Sequence, residues 1–322
     1  MTTLRPGRAS ARSRLLILTT LALLPALLAA AAETVVWDSV RDGDIEVRYA
    51  PEDARPARAV LGSAARLAPL VAREVGIPAL GAITIVIAPD AAEFAALTSG
   101  GAPDWSVGCA FPTRGLVVVR SPRTDLSPLH LDQIIEHELA HVATGRALGD
   151  IRIPRWFDEG IATTVAGEWR LDENARLAAA ARSDRLIPLA EITLAFPSDA
   201  DDAALAYAQS FRAVELLIRE SGANGIAGLI GAVGTSGSFE GGLRSLVGLG
   251  TDAFDEHFAR SLRTRFRGPP VLLRGGLLFV ALALLLAGAA ASKALRGRRR
   301  VREWDEEDER RSRSTQNDTR WS

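Results

Sequence analysis

An α+β fold, with a small mixed sheet packed on helices, is what this sequence predicts. Strand-like patterns crowd into residues 33–125, and helical patterns dominate residues 126–270. Hydrophobic residues make up 48% of the chain and charged residues 24%, a globular balance that excludes disorder over most of the 322 residues. A formal net charge of −1 removes the electrostatic case for nucleic-acid binding. The single cysteine, Cys109, excludes an intrachain disulfide framework and a cysteine-based metal cluster, and suits an oxidising compartment.

Residues 1–32 read as a secretory signal peptide. Arg5, Arg8, Arg12 and Arg14 precede an apolar run, Leu15 to Ala32, that ends in Ala30-Ala31-Ala32. Pro25 and the Thr19-Thr20 pair disfavour a spanning helix; the alternative is an uncleaved anchor. Either way, the positive-inside tendency sends the following domain, residues 33–270, outward.

Within that domain, Ile45, Val47 and Tyr49 alternate with Glu46 and Arg48, the pattern of a half-buried strand. Val60, Ala64, Leu67, Val71 and Val75 follow at helical spacing, with Pro69 as an expected kink and Gly76 as a stop. The β-branched run Ile83 to Ala88 predicts a central strand. Gly108 to Phe111 and Leu116 to Arg120, joined across Pro112-Thr113-Arg114-Gly115, predict a hairpin. Helices are expected over Pro128–Ala147, Arg155–Val165, Ala203–Ser221 and Asp252–Arg265. The Gly-rich stretch Gly222 to Gly250 gives no clear pattern, and no internal repeat is present.

Val271 to Ser292 predicts one transmembrane helix. Its centre, Gly275 to Ala291, is uncharged and long enough to cross about 30 Å of hydrocarbon. Lys293, Arg296, Arg298, Arg299, Arg300 and Arg302 follow, a cluster that stays in the cytoplasm. The expected location is therefore the cell membrane, with the domain outside the cytoplasm and residues 293–322 as a charged cytoplasmic tail.

Chemistry concentrates in Ile134-Ile135-Glu136-His137-Glu138-Leu139-Ala140-His141. His137 and His141 are one helical turn apart, so both imidazoles project to one side and can share a zinc ion. Ser127 is a fair N-cap with Pro128 at the first helical position, and Gly149 can close the helix. Glu138 lies beside the pair, positioned to face a water. A catalytic zinc takes three protein ligands and leaves one position open. His257 is a third candidate by type, but Phe254-Asp255-Glu256-His257-Phe258 reads as an ordinary amphipathic helix. Glu159, eighteen positions beyond His141, is better placed, because the chain can turn and bring a second helix back alongside the first. Adjacent Asp158 is expected to point elsewhere, as a cap or an arginine partner.

His137-Glu138-x-x-His141, followed by Trp156-Phe157-Asp158-Glu159-Gly160-Ile161-Ala162, resembles the gluzincin metallopeptidases, specifically the peptidase MA-like domains of bacterial exported proteins. The resemblance covers about Ile45 to Arg265 and includes Asp104-Trp105-x-x-Gly108-x-Ala110 and Tyr207-Ala208-Gln209-Ser210. It implies a zincin-like fold, His137, His141 and Glu159 as zinc ligands, and Glu138 as general base. Tyr207 resembles the tyrosine that stabilises the oxyanion in gluzincins, and a plain core aromatic is the other reading. Thr163 stands where some gluzincins place an acidic residue that orients a ligand.

The expected activity is hydrolysis of peptide bonds in a peptide or protein substrate, with Glu138 shuttling the proton from water to the leaving amine. Strand Leu116 to Arg120 is a candidate edge for an extended substrate. His130, two turns before His137, is a candidate support for the ligands, and Trp156 and Phe157 are expected in the core. The alternative function is a zincin-shaped binding or scaffold module that cleaves nothing. An intramembrane protease is excluded, because Asp132, Gln133, Glu136, Arg146 and Asp150 on or beside the motif helix are too costly in lipid.

Overall fold

The computed structural model describes residues 35–103, 106–124, 130–169, 171–267 and 283–287. Its sheet has five strands: β1 (Asp38–Asp42), β2 (Ile45–Tyr49), β3 (Ile83–Ala88), β4 (Gly108–Phe111) and β5 (Leu116–Arg120). Their spatial order is β1-β2-β3-β5-β4. The two outer pairs are antiparallel, whereas β2, β3 and β5 run parallel.

Parallel neighbours need a crossover, and helix α1 (Ala54–Val75) supplies the one between β2 and β3. Its buried stripe, Val60, Ala64, Leu67, Val71 and Val75, is the predicted one, and the helix continues through Pro69 to a stop at Gly76. Strand β3 is central, as its continuous apolar run requires, with Ile83, Ile85, Ile87 and Ala88 buried. Helix α2 (Ala91–Leu97) carries Phe94 into a cluster with Ala88 and Val118, against which Cys109 and Phe111 also pack.

The predicted hairpin is present, with β4 and β5 paired from Gly108↔Val119 to Phe111↔Leu116. One expectation fails here. Strand β5 is flanked on both sides by β3 and β4, so its backbone groups are already paired; the edge on this side of the sheet is β4. A second failure concerns β1, whose exposed Asp-Ser-Val-Arg-Asp carries no apolar alternation, so its pairing with β2 was not legible.

Helix α3 (Leu131–Leu148) carries the two histidines. It begins at Leu131 instead of Pro128, with exposed His130 as the N-cap residue. The Gln133 side chain accepts from the His130 backbone N–H at 3.2 Å, which satisfies a donor at this helix end. Ser127 and Pro128 lie outside the described residues. His130 therefore stands at the N-cap, just ahead of the first helical turn. Ile134, Ile135, Leu139 and Val142 are buried, and Gly149 closes the helix. Asp132 accepts from Ser63 Oγ and from Arg66 on α1, each at 2.6 Å, which ties α3 to α1.

Helices α4 (Arg155–Val165) and α6 (Ala200–Ser221) follow closely the predicted bounds and pack on each other. Their approach is close at Gly160, where a Cβ would lie 2.6 Å from Val214 Cγ2. Trp156 and Phe157 join Phe239 in an aromatic cluster, with ring centroids 5.0 to 5.8 Å apart. The Gly-rich stretch forms α7 (Gly225–Ser236) and α8 (Phe239–Val247), whose buried Ile226, Leu229, Ile230, Val233 and Leu243 overcome the poor helix propensity of glycine.

The sheet, α1 to α4 and α6 to α8 form one unit; a second comprises residues 170–190 and those from 252 onward. In the second, α5 (Leu171–Arg182) and α9 (Thr251–Arg265) contribute buried Leu177, Phe254, Phe258 and Leu262, and Arg263 donates to Asp184 at 2.7 Å.

The signal-peptide segment lies outside the described residues, as do Asp104, Trp105 and most of Val271–Ser292. Residues 283–287 of that last run are helical, with Leu284, Leu285 and Leu286 exposed. Among the described residues no helix is long and apolar enough to cross a membrane.

Candidate metal centre

Helix α3 presents His137 and His141 on one side, with ring centroids 4.8 Å apart. Helix α4 returns after Gly149 and brings Glu159 to both: Glu159 Oε2 stands 3.4 Å from His137 Nε2 and 3.6 Å from His141 Nε2. These three residues group as a candidate metal site, their ligand atoms all within 4.8 Å of one another. His257, on α9, is not in the group.

The spacing fits a metal ion. Ligands about 2.0–2.1 Å from a tetrahedral zinc are separated from one another by about 3.3–3.4 Å. Glu159 Oε2 is buried and has no hydrogen-bond partner. Its other oxygen, Oε1, accepts from Arg155 at 2.9 Å, so the carboxylate offers one oxygen to an ion and not two. Four carboxylates, from Glu138, Asp158, Glu159 and Glu168, gather around two imidazoles and one guanidinium, an excess of negative charge that a divalent cation would offset.

Residues 70–264 match the Peptidase MA superfamily. The chain belongs to that superfamily. No curated protein matches it by sequence. Among solved structures it is similar to that of yeast LTA4 hydrolase in complex with bestatin, at 13% identity and a TM-score of 0.40, over 70% of this chain. The match spans 36% of that chain.

In this Peptidase MA domain, electrostatics bind the group together. Burial acts to lower the His137 pKa, but the Glu168 and Glu159 carboxylates reverse this and push it up to about 10. His141 is likewise raised well above the usual imidazole value: burial opposes, and Asp158 and Glu159 prevail. Glu159 moves the other way. Burial alone would raise it, yet the two imidazoles hold it well below the usual carboxylate range. Glu138 is raised by its burial, and its Oε2 has no hydrogen-bond partner.

One neighbour differs from expectation, and two others complete the surroundings. Asp158 does not point away: its Oδ2 lies 2.9 Å from His141 Nδ1. Thr163 is buried with an unpartnered hydroxyl and contributes no carboxylate. Glu168, which sequence reasoning missed, stands at His137 instead, with Oε1 3.2 Å from Nδ1. Its signal was weak, because it follows the end of α4 and the Ala166-Gly167 turn.

Tyr207 lies within α6, and its ring meets Phe196 edge-on at 4.9 Å. It hydrogen-bonds Arg155, and a guanidinium can only donate, so the Tyr207 oxygen accepts in this pair. Burial and the nearby Glu159 carboxylate raise its pKa well above the usual phenol value. Gly108 on edge strand β4 abuts Glu138, leaving no room for a Cβ between them.

Proposed function

We propose that this protein is a membrane-anchored, zinc-dependent peptidase of the gluzincin type, with its Peptidase MA domain outside the cytoplasm. The observation that carries the reading is the convergence of His137 Nε2, His141 Nε2 and the unpartnered Glu159 Oε2, with buried Glu138 beside them. His137, His141 and Glu159 would hold the metal. Zinc, when bound, supplies a Lewis acid and makes water nucleophilic near neutral pH.

The chain's own residues then have distinct tasks. Glu138 Oε2 takes the proton of the attacking water and returns it to the leaving amine. Its burial raises its proton affinity, which suits a group that must both accept and release a proton. Tyr207 Oη donates to the oxyanion of the substrate carbonyl, and Arg155 holds that oxygen in place from the other side. The outer edge of β4, next to Glu138, receives an extended substrate by backbone pairing. A purely binding module has no use for Glu138, because a buried carboxylate oxygen without a hydrogen-bond partner costs stability.

Anchoring and location rest on the apolar run Val271–Ser292, the basic cluster after it and the leader-like residues 1–32. Protease treatment of intact spheroplasts should digest the domain and spare the tail; a protected domain contradicts this orientation.

The deciding experiment is Glu138→Gln in the full chain. Peptide hydrolysis should fall by at least about 10²-fold while zinc content stays at one ion per chain. Hydrolysis at the wild-type rate in this variant overturns the mechanism.

A further inference from the structure

Each histidine of the candidate metal centre is backed by a carboxylate, and the two carboxylates come from different places. Asp158 is the neighbour of Glu159 in α4, so a single helical turn sets both the oxygen that faces the imidazoles and the one that holds His141. Glu168 belongs to no helix. It sits nine positions beyond Glu159, past the end of α4, yet its Oε1 reaches His137 Nδ1 at 3.2 Å with both side chains only 12% exposed.

The segment that carries it is clamped from three directions. Gly167 adopts φ +60°, a left-handed conformation that glycine takes without strain, and the Glu168 N–H donates back to Thr163 O at 3.2 Å. From α3, Gln133 Nε2 donates to Gly167 O at 3.4 Å. On the α6 side, the Trp169 ring stacks on Phe211 with centroids 4.5 Å apart, and the Arg212 guanidinium lies 4.1 Å over it. Thr163, one turn beyond Glu159 in α4, has a hydroxyl with no partner and no charge to offer.

We infer that Glu168 is the positioning residue for His137. As the ion-pair partner of the buried Nδ1, which makes no hydrogen bond of its own, it favours the tautomer and ring angle that aim Nε2 at the point shared with His141 Nε2 and Glu159 Oε2. The inference rests on the metal-centre reading above and adds a dependence that reading lacks. The orientation of one ligand is set by residues 166–169, and through Trp169 by α6, and not by the helix that carries Glu159.

The test uses the full chain in detergent, titrated with zinc against a chelator of known affinity, as wild type, Glu168→Ala and Glu168→Gln. Cobalt-loaded samples are compared by visible absorption, which reports ligand geometry. Glu168→Ala should weaken zinc binding by about 10–100-fold and alter the cobalt spectrum. Glu168→Gln keeps the shape and an acceptor oxygen but loses the charge, so it should weaken binding by about fivefold and keep the cobalt spectrum nearer to wild type. If the wild-type chain takes up neither zinc nor cobalt, the metal-centre reading itself falls, and this inference with it. Wild-type uptake, with both variants within about twofold of it and spectrally unchanged, overturns the Glu168 assignment alone. Should Glu168→Ala fail to fold, wild-type zinc affinity in Glu168→Gln overturns it.

Discussion

Gly108→Ala is the sharpest available perturbation of the Glu138 carboxylate, because it pushes on that side chain while leaving every residue of the metal centre unsubstituted. A Cβ at position 108 would collide with Glu138 Oε1 and lie 2.7 Å from Cδ and 2.9 Å from Cγ. Ordinary carbon contact begins near 3.4 Å, so the carboxyl carbon must retreat by about 0.7 Å. The obstacle is the end of a rotatable side chain, not backbone, and Gly108 does not have a positive φ. The fold should therefore accept the methyl. Alanine in place of a strand glycine should leave stability unchanged or raise it by up to about 1 kcal/mol. Function should respond differently, because displacement of a proton-transfer group by about 1 Å costs on the order of 10²-fold in rate. The assay pairs hydrolysis of a quenched peptide library with zinc content and thermal melting. Zinc and melting temperature at wild-type values, with kcat down about a hundredfold, is the expected result. Wild-type turnover would refute the reasoning, since Glu138 would then not act from its position against β4.

Other consequences are as direct. Glu159→Ala should strongly reduce zinc occupancy measured by elemental analysis, and unchanged occupancy would mean another residue supplies the third ligand. Zinc must displace the proton that His137, its pKa raised to about 10 by Glu168 and Glu159, keeps at neutral pH, so zinc affinity should rise by at least about tenfold per pH unit between pH 6 and 8; a pH-independent Kd contradicts that ion pairing. In the metal-free protein the same raised pKa stabilises the fold fully below about pH 6.5, and that contribution is lost as pH rises through about 10. Melting of the chelator-treated chain should accordingly fall over that window. Gly160→Ala forces a methyl to 2.6 Å from Val214 Cγ2 and 2.8 Å from the Ser210 carbonyl carbon, and should destabilise by about 1–3 kcal/mol in denaturant titration. Unchanged stability there would mean α4 and α6 are not in the close contact described.

Much of the fold was readable because its signals are periodic. The apolar stripe of α1, the unbroken β-branched run of β3 and the hairpin of β4 and β5 each follow from local pattern alone. Elements without such a pattern were not. Strand β1 is an exposed edge strand whose five residues include three charges, and it exists because β2 offers it hydrogen bonds. Helices α7 and α8 contain four and two glycines and owe their form to buried aliphatic contacts that no window of sequence reveals.

The sequence by itself determined that two imidazoles share one helical face, that a glutamate sits beside them, and that a second acidic helix follows at a distance that permits its return. Those facts depend only on helical periodicity and chain length. Tertiary structure decided everything that required knowing where a side chain ends. It set Asp158 against His141 and brought Glu168 around a glycine turn to His137, although α4 supplies only Thr163 one turn beyond Glu159. It also moved the edge on that side of the sheet from β5 to β4, since strand order is settled by hydrogen bonds between segments distant in sequence. Local pattern encodes which face a residue occupies; which groups meet across elements is decided by packing.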